Sequence, residues 1–123
     1  MKVWPVDLEI ERSAAFASVS TARSSAARAL HGAQPDSMLE ASAWSTAACR
    51  DCLRLMLAAG QVRPAQGRWS ARLKALRQLI ESHARAGVGL AAKVQGGDRA
   101  AGWHLLAVLA DLQYWLSVLA VPA

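Results

Sequence analysis

The sequence predicts an all-α protein: a small antiparallel up-down bundle of about four helices, a single domain over residues 1–123, closed within the chain or completed by dimerisation. Three observations carry that expectation. Apolar residues recur at spacings of three and four along four separate segments, and no segment reads as a credible strand. The hydrophobic fraction of 54% is rich in alanine, which favours helix and adds little volume, so the helices should lie close together. The segments are divided by short connections marked by glycine and proline, with no internal repeat and no low-complexity linker between them. A chain of 123 residues is also long enough for one core to bury roughly two thirds of the unfolded surface.

The first helix follows Trp4 and Pro5, with Pro5 suited to a first-turn position where a missing N–H is no loss. Asp7, Glu9 and Glu11 place negative charge near its N-terminus, which the helix dipole favours. It should run to about Leu30, with Ala14, Ala15, Ala17, Ala22, Ala26 and Ala29 on one side beside Phe16, Val19 and Leu30. Interleaved serines make it a thin helix that needs tertiary support, and His31, Gly32 and Pro35 end it. The second helix begins at the capping box from Ser37 to Glu40 and runs through Ala59 to stop at Gly60. Its inward positions read Met38, Ser42, Ser45, Cys49, Cys52 and Met56, with Leu53 and Leu57 beside them and Trp44 marking a second edge.

A turn holding Pro64 and Gly67 leads to the third helix, where Trp69, Leu73, Leu76, Ile80 and His83 form a stripe with Leu79 adjacent. Gly87 and Gly89 each weaken a helix by about 1 kcal/mol relative to alanine, so it ends there or continues through Leu90 and Val94 to Gly96 and Gly97. Asp98 then caps the last helix, within Arg99 to Ala123. Leu105, Val108, Leu109, Leu112, Trp115, Leu116 and Leu119 fill half of its circumference, and Trp103, Ala107, Ala110, Tyr114 and Val118 occupy the back. A helix apolar nearly all round should be covered all round, by other helices or by a second copy. A membrane is the disfavoured cover: Asp111 near the middle of a span costs about 2.5 to 3.5 kcal/mol on insertion scales, and His104 and Gln113 add to that.

Net charge is +5, and its distribution says more than its total. Nine basic and only two acidic residues stand between Arg54 and Arg99, a block of the kind that attracts nucleic acid or an acidic protein surface. Arg63, Arg68, Arg72, Lys74, Arg77 and Arg85 form the candidate binding face, with Trp69 the one ring placed to stack on a base. The opening MKVWPVDLEIE lacks the apolar run of a secretory signal, so the expected location is cytoplasmic.

Cys49-Arg50-Asp51-Cys52 is a CxxC whose sulfurs face one way. It sits three turns into a helix, whereas redox pairs sit at a helix N-terminus, where the dipole lowers a thiol pKa. Mid-helix geometry also disfavours a bridge between them. A metal site built on Cys49 and Cys52 would need further ligands, and the nitrogen donors are His31, His83 and His104, with His83 and His104 the candidates. The plainer reading is two buried thiols filling core beside Met56. Arg77 and His83 fit the loose Arg-x4–6-His spacing of helical ribonucleases of the HEPN class, but roughly one such match is expected by chance. The simpler assignment is a solvated Arg77 and a core His83 satisfied by a neighbouring hydroxyl. The run His83 to Gly87 lacks the lysine of a histidine phosphotransfer site, Ala86 standing in its place. His104 and Asp111, two turns apart on one flank, could bond to a neighbouring helix or supply half of an acid/base pair. Paired carboxylates, HExxH, GxSxG and a glycine-rich phosphate loop are all missing from the sequence, so no cofactor is expected.

The functional expectation is a non-enzymatic helical interaction protein, an adaptor, a chaperone or a small subunit of an assembly. It would associate with itself or dock to a protein partner through an apolar helix face comprising Trp103, Leu105, Leu109, Leu112, Trp115, Leu116 and Leu119. The alternatives are RNA or DNA binding through the basic face and a metal- or thiol-dependent role centred on the CxxC.

Overall fold

Alanine-lined faces let helices approach closely, and this chain closes a ring of helices on that basis. The computed structural model describes residues 6–32, 35–60 and 68–119, which form α1 (Val6–His31), α2 (Pro35–Ala59), α3 (Arg68–Gln95) and α4 (Arg99–Leu119). Each helix packs on its neighbours in sequence, and α1 closes the ring against α4. Directions alternate: Ser42 of α2 donates to the Ala91 carbonyl of α3, His83 of α3 faces Asp111 of α4, and Leu30 late in α1 meets Gly102 early in α4. This is the predicted antiparallel bundle, and one chain completes the ring.

Bulk and thinness are divided between the helices. Leu105, Leu109, Leu112, Leu116 and Leu119 of α4 are 0–1% exposed and supply much of the core volume. Opposite them α1 buries mostly small groups, Ala15, Ala22, Ala26 and Ala29 with Val19 and Leu30. Ala14 and Ala17, expected on that side, point to solvent. On α2 the buried leucine is Leu55, while Leu57 is 68% exposed, because the inner face rotates past Cys52 toward Met56 and Ala59. Helix α2 also begins at Pro35, two residues before the expected capping box, with proline in the first-turn position where it is best tolerated. Trp4 and Pro5 lie outside the described residues.

Of the two ends the sequence leaves open for α3, the structure has the later one: the helix runs unbroken past both of its internal glycines to Gln95. Gly87 is a packing residue: a Cβ there would stand 2.5 Å from the Sγ of Cys49, so the thiol of α2 fills a notch that glycine leaves open. Gly102 of α4 likewise receives Leu30, whose Cδ2 would lie 2.8 Å from an added Cβ. Gly89 has open space around it and no such role.

The helix C-termini, where unpaired carbonyls collect, are closed mainly by arginine. Arg12 of α1 donates to the Leu116 carbonyl of α4 at 3.2 Å while its other nitrogens bind Glu9. Arg99 of α4 donates to the Leu30 carbonyl of α1. The Arg77 guanidinium lies over Gly60 at the end of α2, its Nη2 3.0 Å from where a Cβ would stand. Helix α3 ends differently, with Gly97 at φ 92°, its N–H donating to Val94 and that of Asp98 to Lys93. Asp98 then accepts the Ala101 N–H at 3.0 Å, the predicted N-cap of α4.

Gly87→Ala should destabilise the protein by about 1–3 kcal/mol through overpacking. Combined with Cys49→Ala, which removes the obstructing sulfur, the double change should cost clearly less than the sum of the two single ones in urea unfolding. Gly89→Ala should stabilise by about 1 kcal/mol in the same assay; equal behaviour of the two glycine variants would rule out the notch. Arg99→Ala, which strips a charged donor from the end of α1, should lower stability by about 1–2 kcal/mol.

Candidate functional site

Cys49 and Cys52 stand one turn apart on the inner face of α2, both free and fully buried. Burial pushes the Cys49 thiol up to about 11. Burial, then the neighbouring Cys49 and Asp51, push Cys52 up to about 12. Both are held as thiols at neutral pH, the opposite of an activated nucleophile.

His83 lies half-buried on the flank of α3 that faces α4. Its Nδ1 is 3.2 Å from the Leu79 carbonyl, its Nε2 is 3.6 Å from Asp111 Oδ2, and the ring meets Trp115 edge to face at 4.5 Å. The expected hydroxyl partner is thus replaced by a carbonyl, a carboxylate and an indole. Asp111 reaches across to α3, while His104 is exposed on α4. Among the described residues no three His, Cys, Asp or Glu side chains gather as a metal site would require, so Cys49, Cys52, His83 and His104 are not brought into one ligand set.

The basic residues of α3 do not share one face. Arg72 precedes His83 by three turns and so lies on the same flank, toward α4. Arg77 lies on the other flank, over Gly60 and 3.7 Å from Glu81, with its Nε buried and lacking a hydrogen-bond partner. It is a packed cation rather than the solvated one expected. Lys74, Arg85 and Lys93 remain on the outward arc. Arg63 lies outside the described residues, as do the side chains of Arg68 and Trp69.

Of the apolar face read from the sequence, five leucines, Leu105, Leu109, Leu112, Leu116 and Leu119, are in the chain's own core, and Trp115 is half-buried against His83. Trp103 is 48% exposed. The cover expected all round α4 is present only on its inner half. Its back, Trp103, Ala107, Ala110 and Tyr114, opens outward, with Tyr114 65% exposed.

That back forms one wall of a groove of about 600 Å³ between α4 and α1, with Ser20, Arg23, Ser24 and Ala27 opposite Trp103, Leu106, Ala107 and Ala110. A smaller hollow of about 280 Å³ continues the groove past Gln113 to Phe16, Tyr114 and Ser117. Among the described residues Arg23 is the one charged group on this lining, and it donates to Gln113 Oε1 at 2.7 Å across the seam. His31 meets Trp103 edge to face at one end, ring centres 5.7 Å apart. The sequence pattern marks the back of α4 as a stripe, but carries no signal that Phe16, Arg23 and Ala27 of α1 stand beside it.

Comparison with family models, curated proteins and solved structures finds no match to this chain. Among the described residues no helix is long and apolar enough to cross a membrane.

Iodoacetamide at pH 8 should leave the native thiols unlabelled and modify both once urea unfolds the chain. The folded pKa values lie above the ordinary 9.0. The thiol contribution to stability is therefore full below about pH 9 and is lost as pH rises through 11 to 12. The Cys49→Ala, Cys52→Ala protein should show a shallower alkaline fall in urea midpoint; fast labelling of the native protein would contradict the burial.

Proposed function

We propose that this protein is a non-enzymatic helical interaction module that docks a partner on the outward face of α1 and α4. The observation that carries the reading is the exposure of Trp103 and Tyr114 at the two ends of one groove, whose lining charge among the described residues is the tethered Arg23. Single exposed apolar side chains are ordinary on a protein surface, but rings and alanines contiguous along three turns of helix, with a groove beside them, are the mark of a contact surface. The titratable groups support the same reading: the thiols are buried and protonated, His83 is occupied by Asp111 and Trp115, and Arg12 and Arg99 are engaged with carbonyls at helix ends.

A nucleic-acid partner would use the outward arc of Lys74, Arg85 and Lys93, where Glu81, two turns after Lys74 and one turn before Arg85, sets a carboxylate between the first two cations. The departure of Arg72 and Arg77 to opposite flanks leaves that surface thinner than the basic block suggests. Binding there would weaken steeply with salt.

A benzophenone amino acid placed at Ala107 should crosslink the full chain to a protein partner in cell extract, while the same probe at Leu57, an exposed apolar position on α2, should not. Equal adduct yields at the two positions, or adducts only from a probe on the outward arc of α3 at Lys74 or Arg85, would count against the α1–α4 face.

A further inference from the structure

We propose that Cys49 and Cys52 are a redox checkpoint on folding: the chain forms its bundle only with both thiols reduced, and a disulfide between them keeps it out. The inference stands independently of the docking face.

The bundle has no place for the joined form. Side chains three residues apart on a helix hold their Cβ atoms about 5–6 Å from each other, whereas a disulfide draws them to about 3.5–4.5 Å. Closing that gap within α2 unwinds the turn between them. At a helix end, where turns fray, this would cost little. Cys49 and Cys52 lie well inside Pro35–Ala59, and Ala48, Leu55 and Met56 of the adjoining turns are buried in the core.

Helix α2 cannot absorb the contraction by sliding, because it is fixed to α3 on both sides of the pair. Ser42 donates to the Ala91 carbonyl before it, and Gly60 lies beneath the Arg77 guanidinium after it. Between these two points the Cys49 Sγ fills the notch at Gly87. A bridge aims that sulfur along α2 toward Cys52 instead of across at α3, so the notch is left empty. The loop it closes is short, and for short loops the stabilisation gained by restraining an unfolded chain is smallest.

The choice between the two forms is made before the bundle closes. Disulfide exchange begins with a thiolate. In the unfolded chain the thiols return toward the ordinary 9.0, and two intervening residues keep them within reach of each other. A low-molecular-weight disulfide RSSR then joins them in two exchanges. The Cys49 thiolate attacks one sulfur of RSSR, forming a mixed disulfide and releasing RS⁻. The Cys52 thiolate attacks the Cys49 sulfur of that intermediate, forming the bridge and releasing a second RS⁻. The two cysteines lose two electrons and two protons, and RSSR becomes two RSH. In the bundle both side chains are 0% exposed and burial holds them as thiols, so the same reagent meets neither accessible sulfur nor thiolate.

The full chain, unfolded in urea and treated at pH 8 with oxidised glutathione, should yield a bridged monomer lighter than the reduced chain by two hydrogens. Once urea is removed, this species should lack the helical circular dichroism and cooperative unfolding of the reduced chain. That corresponds to a loss of about 100-fold or more in the folding equilibrium constant. A phosphine reductant should restore both signals, and this recovery separates the bridge from damage by urea or reagent. The Cys49→Ala, Cys52→Ala protein carried through the same steps should refold without reductant. Native protein held with the same glutathione, for the time that bridges the unfolded chain, should stay reduced. A bridged chain that keeps the helical signal and urea midpoint of the reduced one overturns the checkpoint. Native protein that bridges as fast as the unfolded chain overturns it as well, and an unfolded chain that forms no bridge overturns the cysteine pair as its seat.

Discussion

The spacing between α2 and α3 is set by a sulfur atom standing where a side chain of Gly87 would be. Close approach of small groups is the constraint on which the bundle depends. Gly102 admits Leu30 in the same way, and the alanines of α1 form a thin wall against the leucines of α4. A core built from unequal helices keeps crystal-like packing only if bulk on one side meets its absence on the other, so substitutions at these points act through volume before polarity. Ser42 adds direction to the α2–α3 contact, its hydroxyl donating to the Ala91 carbonyl at 2.7 Å within the core.

Helix ends account for much of the charge. Arg12 and Arg99 serve carbonyls at the ends of helices other than their own, Arg77 lies over the end of α2, and Arg54 pairs with Asp51 one turn away. A cation at a helix C-terminus meets both unpaired carbonyls and the negative end of the dipole. Several residues of the basic block are thus tied into the frame, and the outward arc of α3 keeps Lys74, Arg85 and Lys93. The α1–α4 face is left with little charge of its own.

The fold was legible in the sequence where polarity and spacing agree. The leucines of α4 and the run Leu73, Leu76 and Ile80 of α3 face inward as their periods require, and Asp98 caps α4 as its position implies. Legibility failed where residues are ambivalent. Alanine and serine on α1 differ too little in hydropathy to show that Ala14 and Ala17 turn outward while Ser25 is buried. The glycines of α3 left its end undecided because the thiol that fills the Gly87 notch comes from another helix, far earlier in the chain. His83 lies at the edge of its stripe, and its partner Asp111 belongs to α4, a pairing that local spacing does not encode. The α1–α4 groove was half visible: the stripe on α4 can be counted along one helix, but its opposite wall depends on which helices become neighbours.

Closure of the ring joins the earliest helix to the latest, through contacts such as Arg12 with Leu116 that span most of the chain. On a ribosome, which releases about 5–20 residues per second, α2 can cover part of α1 early, but the edge of α1 that meets α4 stays open until α4 has left the exit tunnel. Three helices alone would form an open trough in which the α4-facing edges of α1 and α3 are uncovered. The period in which a nascent chain is most open to misassociation is therefore its synthesis, and a chaperone that shields α1 during those seconds would protect it more than any added stability in the finished bundle.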